Sequence, residues 1–189
     1  MKRTNNNNWI FTISIILTAI VLAFLSFIPI NMEYIKPFVV YFDPTKLLSN
    51  LPLWIFINSI IALYSHSEKT ATLNTTLFNI VCFVSYCLFS IILTHTMPKE
   101  MFLTWIVFTL IWTIFSYLVW SANQSDSKGW ILSTLLLAIL FSTCFTYTEN
   151  TISNTTILNF LLYVFLVVIL YKGTKETLII VVSSIILAM

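Results

Sequence analysis

The stretch MFLTWIVFTLIWTIFSYLVWSA, Met101–Ala122, decides the fold class. It runs for 22 residues without an Asp, Glu, Lys, Arg, Gly or Pro. As an α-helix it rises about 33 Å, enough to cross about 30 Å of hydrocarbon. Its side chains also divide by angle. At about 100° per residue, Trp105, Thr109, Trp112, Thr113, Ser116 and Trp120 share one face. Leu103, Leu110, Ile111, Ile114 and Leu118 fall on the other. Hydrocarbon offers no partner to a hydroxyl or an indole N–H, so the first face is expected to look into a helix bundle and the second at lipid.

The rest of the chain has the same character. Of its 189 residues, 59% are hydrophobic and 8% charged, against about 25% charged in a soluble domain. Too few polar side chains exist to cover a water-facing surface, and disorder needs low hydrophobicity. Uncharged apolar segments cover Trp9–Ile30, Pro52–Ser65, Leu73–Met97, Met101–Ala122, Trp130–Thr148, Ile157–Tyr171 and Thr177–Met189. The expectation is an all-α polytopic membrane bundle forming a single domain over residues 1–189. Seven transmembrane segments are counted, or six if Thr177–Met189 does not cross. The second, sixth and seventh segments, at 14, 15 and 13 residues, fall short of a full crossing and must tilt little, extend into polar flanks or thin the bilayer. Lys2 and Arg3 precede the first segment, but its 22 residues exceed a signal-peptide core of about 7–15. It reads as an uncleaved anchor.

Boundary signals agree. Pro52 and Pro98 sit at helix starts, where a missing N–H costs nothing. Ser127 is placed to cap the fifth helix, and Gly173 to stop the sixth. The first loop carries an aromatic run, Tyr34–Phe42, read as an interfacial anchor rather than a lid. With seven spans and a cytoplasmic N-terminus, Lys2, Arg3, Lys69, Lys128, Lys172 and Lys175 lie inside, and Lys36, Lys46 and Lys99 outside. That asymmetry favours the N-terminus in.

The chemistry is sparse. Two glycines, Gly129 and Gly173, exclude the phosphate-binding loop, the dinucleotide fingerprint and the GxxxG motif. A net charge of +2 is far too small for nucleic-acid binding. Cys82, Cys87 and Cys144 read as inert core thiols, since the first two point about 140° apart on one helix. His66 and His95 fall in loops on opposite sides and read as a solvated turn and an interfacial cap. No charged side chain lies in a predicted span, which argues against proton coupling, voltage sensing and intramembrane metalloprotease chemistry. No nucleophile, base or metal cluster is recognisable, so neither enzyme activity nor a cofactor is expected.

The remaining signal is the converging polar-aromatic faces. The fourth helix offers Trp105, Thr109, Trp112, Ser116 and Trp120. The second offers Trp54, Asn58 and Ala62, and the third Asn79, Phe83, Tyr86, Ser90 and Thr94. The fifth offers Ala138, Ser142, Thr146 and Glu149. One reading is ordinary packing through small and polar residues. The other is a cavity for a small apolar or cationic ligand, lined by Trp54, Asn58, Asn79, Tyr86, Trp105, Thr109, Trp112, Ser116 and Trp120.

The motif Ser49-Asn50-Leu51-Pro52-Leu53-Trp54 opening a short helix, followed by Thr72-Leu73-Asn74, resembles a family of small multi-pass proteins from low-GC Gram-positive bacteria. The likeness covers about residues 45–189 and implies topology but no chemistry, since that family has no assigned function. An AT-rich codon bias, seen in the Asn5–Asn8 run, agrees with a bacterial source and a cell-membrane location. In size and aromatic content the chain is similar to the tryptophan-rich sensory family, but lacks its first-loop pattern. In length and helix count it is similar to vitamin-binding subunits of energy-coupling-factor transporters, but lacks their small-residue docking helix. Two function classes follow: a non-enzymatic permease or ligand-binding membrane subunit, or a structural protein that contacts a membrane partner or a second copy of itself through its helices.

Overall fold

A computed structural model describes residues 8–27, 48, 50–144 and 154–188. The aromatic run 34–42, Thr146 and Glu149 lie outside the described residues. Within them the chain is all-helical: α1 (Asn8–Leu25), α2 (Leu51–Tyr64), α3 (Glu68–Thr94), α4 (Met101–Ala122), α5 (Ser127–Cys144), α6 (Asn154–Ile169) and α7 (Thr174–Ala188).

Turns of three to six residues separate α2 from α3, α3 from α4, α4 from α5 and α6 from α7, so these neighbours run antiparallel. The caps show why helices start where they do. Ser67 Oγ accepts from Thr70 N at 3.3 Å, and Thr70 Oγ1 accepts from Ser67 N at 2.8 Å, a reciprocal capping box. That box starts α3 at Glu68, five residues before the uncharged segment at Leu73. The cap of α5 is also corrected: Asp126 Oδ1 accepts from Gly129 N at 2.8 Å, and Ser127 is already helical. Gly129 itself packs on the preceding turn, where a Cβ would stand 2.1 Å from Gln124 O. His95 ends α3 in the left-handed region at φ 55, and Gly173 leads into α7 at φ 129.

Among the described residues three helices, α3, α4 and α5, are long and apolar enough to cross a membrane, at 27, 22 and 18 residues, against the seven apolar segments expected to span. Counting uncharged residues detects apolar helices whether they face lipid or protein. The 14-residue α2 shows the difference: it packs against α3, α4, α5 and α6 and buries Pro52, Ile55, Asn58, Ser59, Ile61, Ala62 and Leu63. An apolar run of about 10–14 residues is characteristic of such an enclosed core helix. Around it, α1 packs on α3 and α7 on α5.

Two apolar clusters result. One gathers Ile15, Ala19 and Ala23 of α1 with Ile61, Phe78 and Cys82. The other joins Ile55, Ala62, Leu63, Trp112, Val119, Leu137, Leu140 and Leu166. The outward faces stay apolar. Leu103, Leu110, Ile111, Ile114 and Leu118 are exposed on α4, as are Phe160, Val164 and Phe165 on α6 and Leu178, Ile179 and Ile186 on α7. Exposed apolar area of this extent is incompatible with water on all sides.

Candidate functional site

At one end of the bundle the start of α2, the second half of α3, the start of α4 and the end of α1 border a half-open cavity of about 250 Å³. Its walls are Ala23, Ser26, Leu48, Trp54, Cys82, Tyr86, Met101 and Trp105. No lining residue carries a charge. The indole of Trp54 meets that of Trp105 edge to face, with centroids 5.3 Å apart at 88°. Phe83 stacks on Trp105 at 5.7 Å and Phe27 lies 4.8 Å from Tyr86. Such offset and edge contacts fix ring orientation beyond simple burial.

The polar atoms of this wall divide into spent and unspent. Trp54 Nε1 donates to Leu48 O at 2.6 Å, and Ser26 Oγ donates to Leu22 O at 3.1 Å. The Tyr86 hydroxyl and the Trp105 indole N–H make no hydrogen bond among the described residues.

One turn further along α2 and α3, the interior is polar and closed. Asn79 Nδ2 donates to Asn58 Oδ1 at 2.8 Å and to Thr75 O at 3.0 Å, and Asn58 Nδ2 donates to Trp54 O at 2.8 Å. Carbonyl acceptors at both ends fix the sense of both amides. Both asparagines are fully buried, and Asn79 Oδ1 and Thr75 Oγ1 have no partner. Beside this pair, the hydroxyls of Thr76 on α3 and Thr113 on α4 meet at 2.8 Å.

The nine residues expected to line one cavity thus occupy different places. Trp54, Tyr86 and Trp105 line it. Asn58 and Asn79 pair with each other below it. Trp112, 6% exposed, is packed in the second apolar cluster, reached from Trp105 by a ring ladder through Phe108. Thr109 is half-buried between them. Ser116 is fully buried, its hydroxyl donating to Thr113 O at 3.0 Å. Trp120 Nε1 donates to Ser65 O at 3.1 Å near the far end.

Other expectations are settled by position. On α5, Ala138 faces inward but Ser142 is exposed, its hydroxyl donating to Ile139 O at 2.9 Å in its own helix. Thr94 of α3 is likewise exposed and bonds back to Ser90 O at 2.7 Å. His66 and His95 are both exposed, in separate turns. All three cysteines are free, with Cys82 and Cys144 buried. Ala23, Ser26, Leu48, Cys82 and Met101 are cavity residues that the reading by helical faces missed. Ser26 and Met101 sit at helix ends, and Leu48 sits in the first loop, where no periodicity marks an inward side.

Among the described residues no three His, Cys, Asp or Glu side chains gather to hold a metal. No family model, curated protein or solved structure matches the chain, so its function is read from this geometry alone.

Proposed function

We propose that the chain is a multi-pass protein of the cell membrane, with a cytoplasmic N-terminus, that acts without catalysis as a small-solute permease or ligand-binding subunit. The observation that carries this is the uncharged, aromatic-walled cavity of about 250 Å³ between α1, α2, α3 and α4. A cavity of about 150 Å³ with apolar walls holds benzene, and drug-sized molecules need about 300 Å³ or more. The occupant is therefore a small molecule of about one ring.

In this reading all seven helices lie at membrane depth. The short α6 and α7 carry exposed Phe, Leu, Ile and Val, which water would penalise. A local thinning of the bilayer accommodates them. With the N-terminus inside, the ends of α1 and α3 and the starts of α2 and α4 are outward, and the cavity lies in the outer half. Cysteine substitutions at Ser125 and Lys99 test the threading: Ser125→Cys should label only from the cytoplasmic side and Lys99→Cys only from outside. The reverse pattern refutes the orientation.

Native mass spectrometry of the protein released from nanodiscs tests the binding role. A bound small molecule is expected on the wild type and should be lost from Trp105→Ala. If the wild type carries nothing and no added one-ring compound is retained, the alternative stands, and the protein is a structural subunit acting through helix contacts.

A further inference from the structure

The wall of the cavity also selects what enters, and this step rests on the ligand-binding reading above. We infer that the occupant is a neutral, ring-sized molecule carrying one acceptor oxygen, a carbonyl, ether or hydroxyl, held by Tyr86 and Trp105.

Three observations lead there. Of the three strongest polar donors in the wall, Trp54 Nε1 is spent on Leu48 O, while the Tyr86 hydroxyl and Trp105 indole N–H have no hydrogen-bond partner among the described residues. Both residues lie on the same cavity, on facing helices α3 and α4. A molecule presenting an acceptor to these donors gains a hydrogen bond that a hydrocarbon of the same shape does not. Secondly, Ala23, Leu48, Cys82 and Met101 complete an otherwise apolar wall, which suits a ring and not a polar chain.

The third observation concerns charge. A cation draws on aromatic faces, but in this wall Trp54 turns edge-on to Trp105, and Phe83 stacks on Trp105. Those contacts already occupy part of the ring faces. No carboxylate lines the cavity. Among the described residues the nearest charges in sequence are Lys99 and Glu100, exposed and of opposite sign just before Met101. An anion finds no cation in the wall either. Neutrality is the state that needs no counter-charge at this depth.

Three probes of one ring size separate the alternatives: acetophenone, ethylbenzene and phenyltrimethylammonium, each read by the thermal stabilisation of the full chain in nanodiscs. Acetophenone should bind about five- to ten-fold tighter than ethylbenzene, the ratio of one net hydrogen bond. Phenyltrimethylammonium should bind weakest. Tyr86→Phe, which keeps the ring, and Trp105→Phe should each reduce the ratio, and the double variant should bring acetophenone down to the ethylbenzene value. Equal binding of acetophenone and ethylbenzene, tighter binding of the cation, or an unchanged ratio in both single variants would overturn the selectivity. Failure of every probe to stabilise the wild type overturns the cavity reading itself, a different result from probes that bind without discrimination.

Discussion

The buried amide pair gives the sharpest test of the interior. Asn58→Leu and Asn79→Leu keep the heavy-atom count and γ-branching of the native side chains and add similar bulk at both sites, but the structure predicts unequal costs. Removing Asn58 leaves one Nδ2 proton of Asn79 without its 2.8 Å partner, and Asn79 Oδ1 stays unpartnered as before. An added orphan costs about 1–3 kcal/mol. Removing Asn79 strands Asn58 Oδ1, but also takes away the orphan Oδ1 that the native protein already carries. The two terms are of equal size and opposite sign, so Asn79→Leu should be nearly neutral. The double variant leaves no member of the pair unmatched and should be at least as stable as Asn79→Leu. The orphans that the two single changes create both vanish in the double variant, so a double-mutant cycle should return a coupling of about 2 kcal/mol or more, twice the cost of one orphan. Reversible unfolding in mixed micelles by added SDS measures all four species. If Asn79→Leu proves more costly than Asn58→Leu, or the effects add within about 0.3–0.5 kcal/mol, the limit for independent sites, the amide network is wrong.

Three further outcomes follow. Trp112→Ala should cost about 3–5 kcal/mol, as aromatic truncations in cores do, while leaving probe binding intact, because Trp112 lies in the packed cluster and not on the cavity; loss of binding at unchanged stability would contradict this. Gly129→Ala should destabilise by about 1–3 kcal/mol in the same unfolding assay, since its Cβ would meet backbone at Gln124 O, and an unchanged midpoint would refute the close approach. At Lys172, burial pulls the amine below its ordinary value of 10.5, only partly countered by Asp126 and Glu176. The unfolded chain then holds more protons between the lowered value and 10.5, so stability should rise with pH across that interval, and Lys172→Gln should flatten the rise.

Much of the fold is legible because an apolar run of helical length admits few alternatives. Each of the seven uncharged segments overlaps one helix, and the aliphatic side of α4 is exposed as the angle of its residues requires. What composition does not record is the surroundings of a helix. Composition alone does not separate a helix such as α2, packed on four neighbours, from one bathed in lipid. Helix starts are misplaced for a related reason. The Ser67–Thr70 capping box carries α3 back through Glu68 and Lys69, charges that end an apolar segment but do not end a helix.

The site was only partly legible, for two physical reasons. The first is that a hydroxyl in hydrocarbon has a partner in its own helix. Ser14, Thr18, Thr94 and Ser121 are bonded to the carbonyl four residues back and Ser142 to the one three back, so a hydroxyl face does not have to turn inward. An amide carries more polar groups than its own helix satisfies: Asn58 and Asn79 each donate to the carbonyl four residues back and still reach the interior to bond each other, and the Trp120 indole reaches Ser65 O. The second is that a helical projection keeps the angle of a residue and discards its height. Trp105 and Trp112 share a face, but seven residues separate them by about 10 Å along the axis. That distance puts Trp105 against Trp54 on the cavity and Trp112 against the second cluster. Height is fixed by which turns of neighbouring helices stand level. Here the fourth residue of α2 meets the fifth of α4, with the indoles of Trp54 and Trp105 5.3 Å apart, because the two helices pack together near their starts. Wherever α2 and α4 stay in that register, Trp54 and Trp105 close one side of the cavity. A one-turn slip of about 5.4 Å between them would separate the indoles and abolish the site while leaving every helical face unchanged.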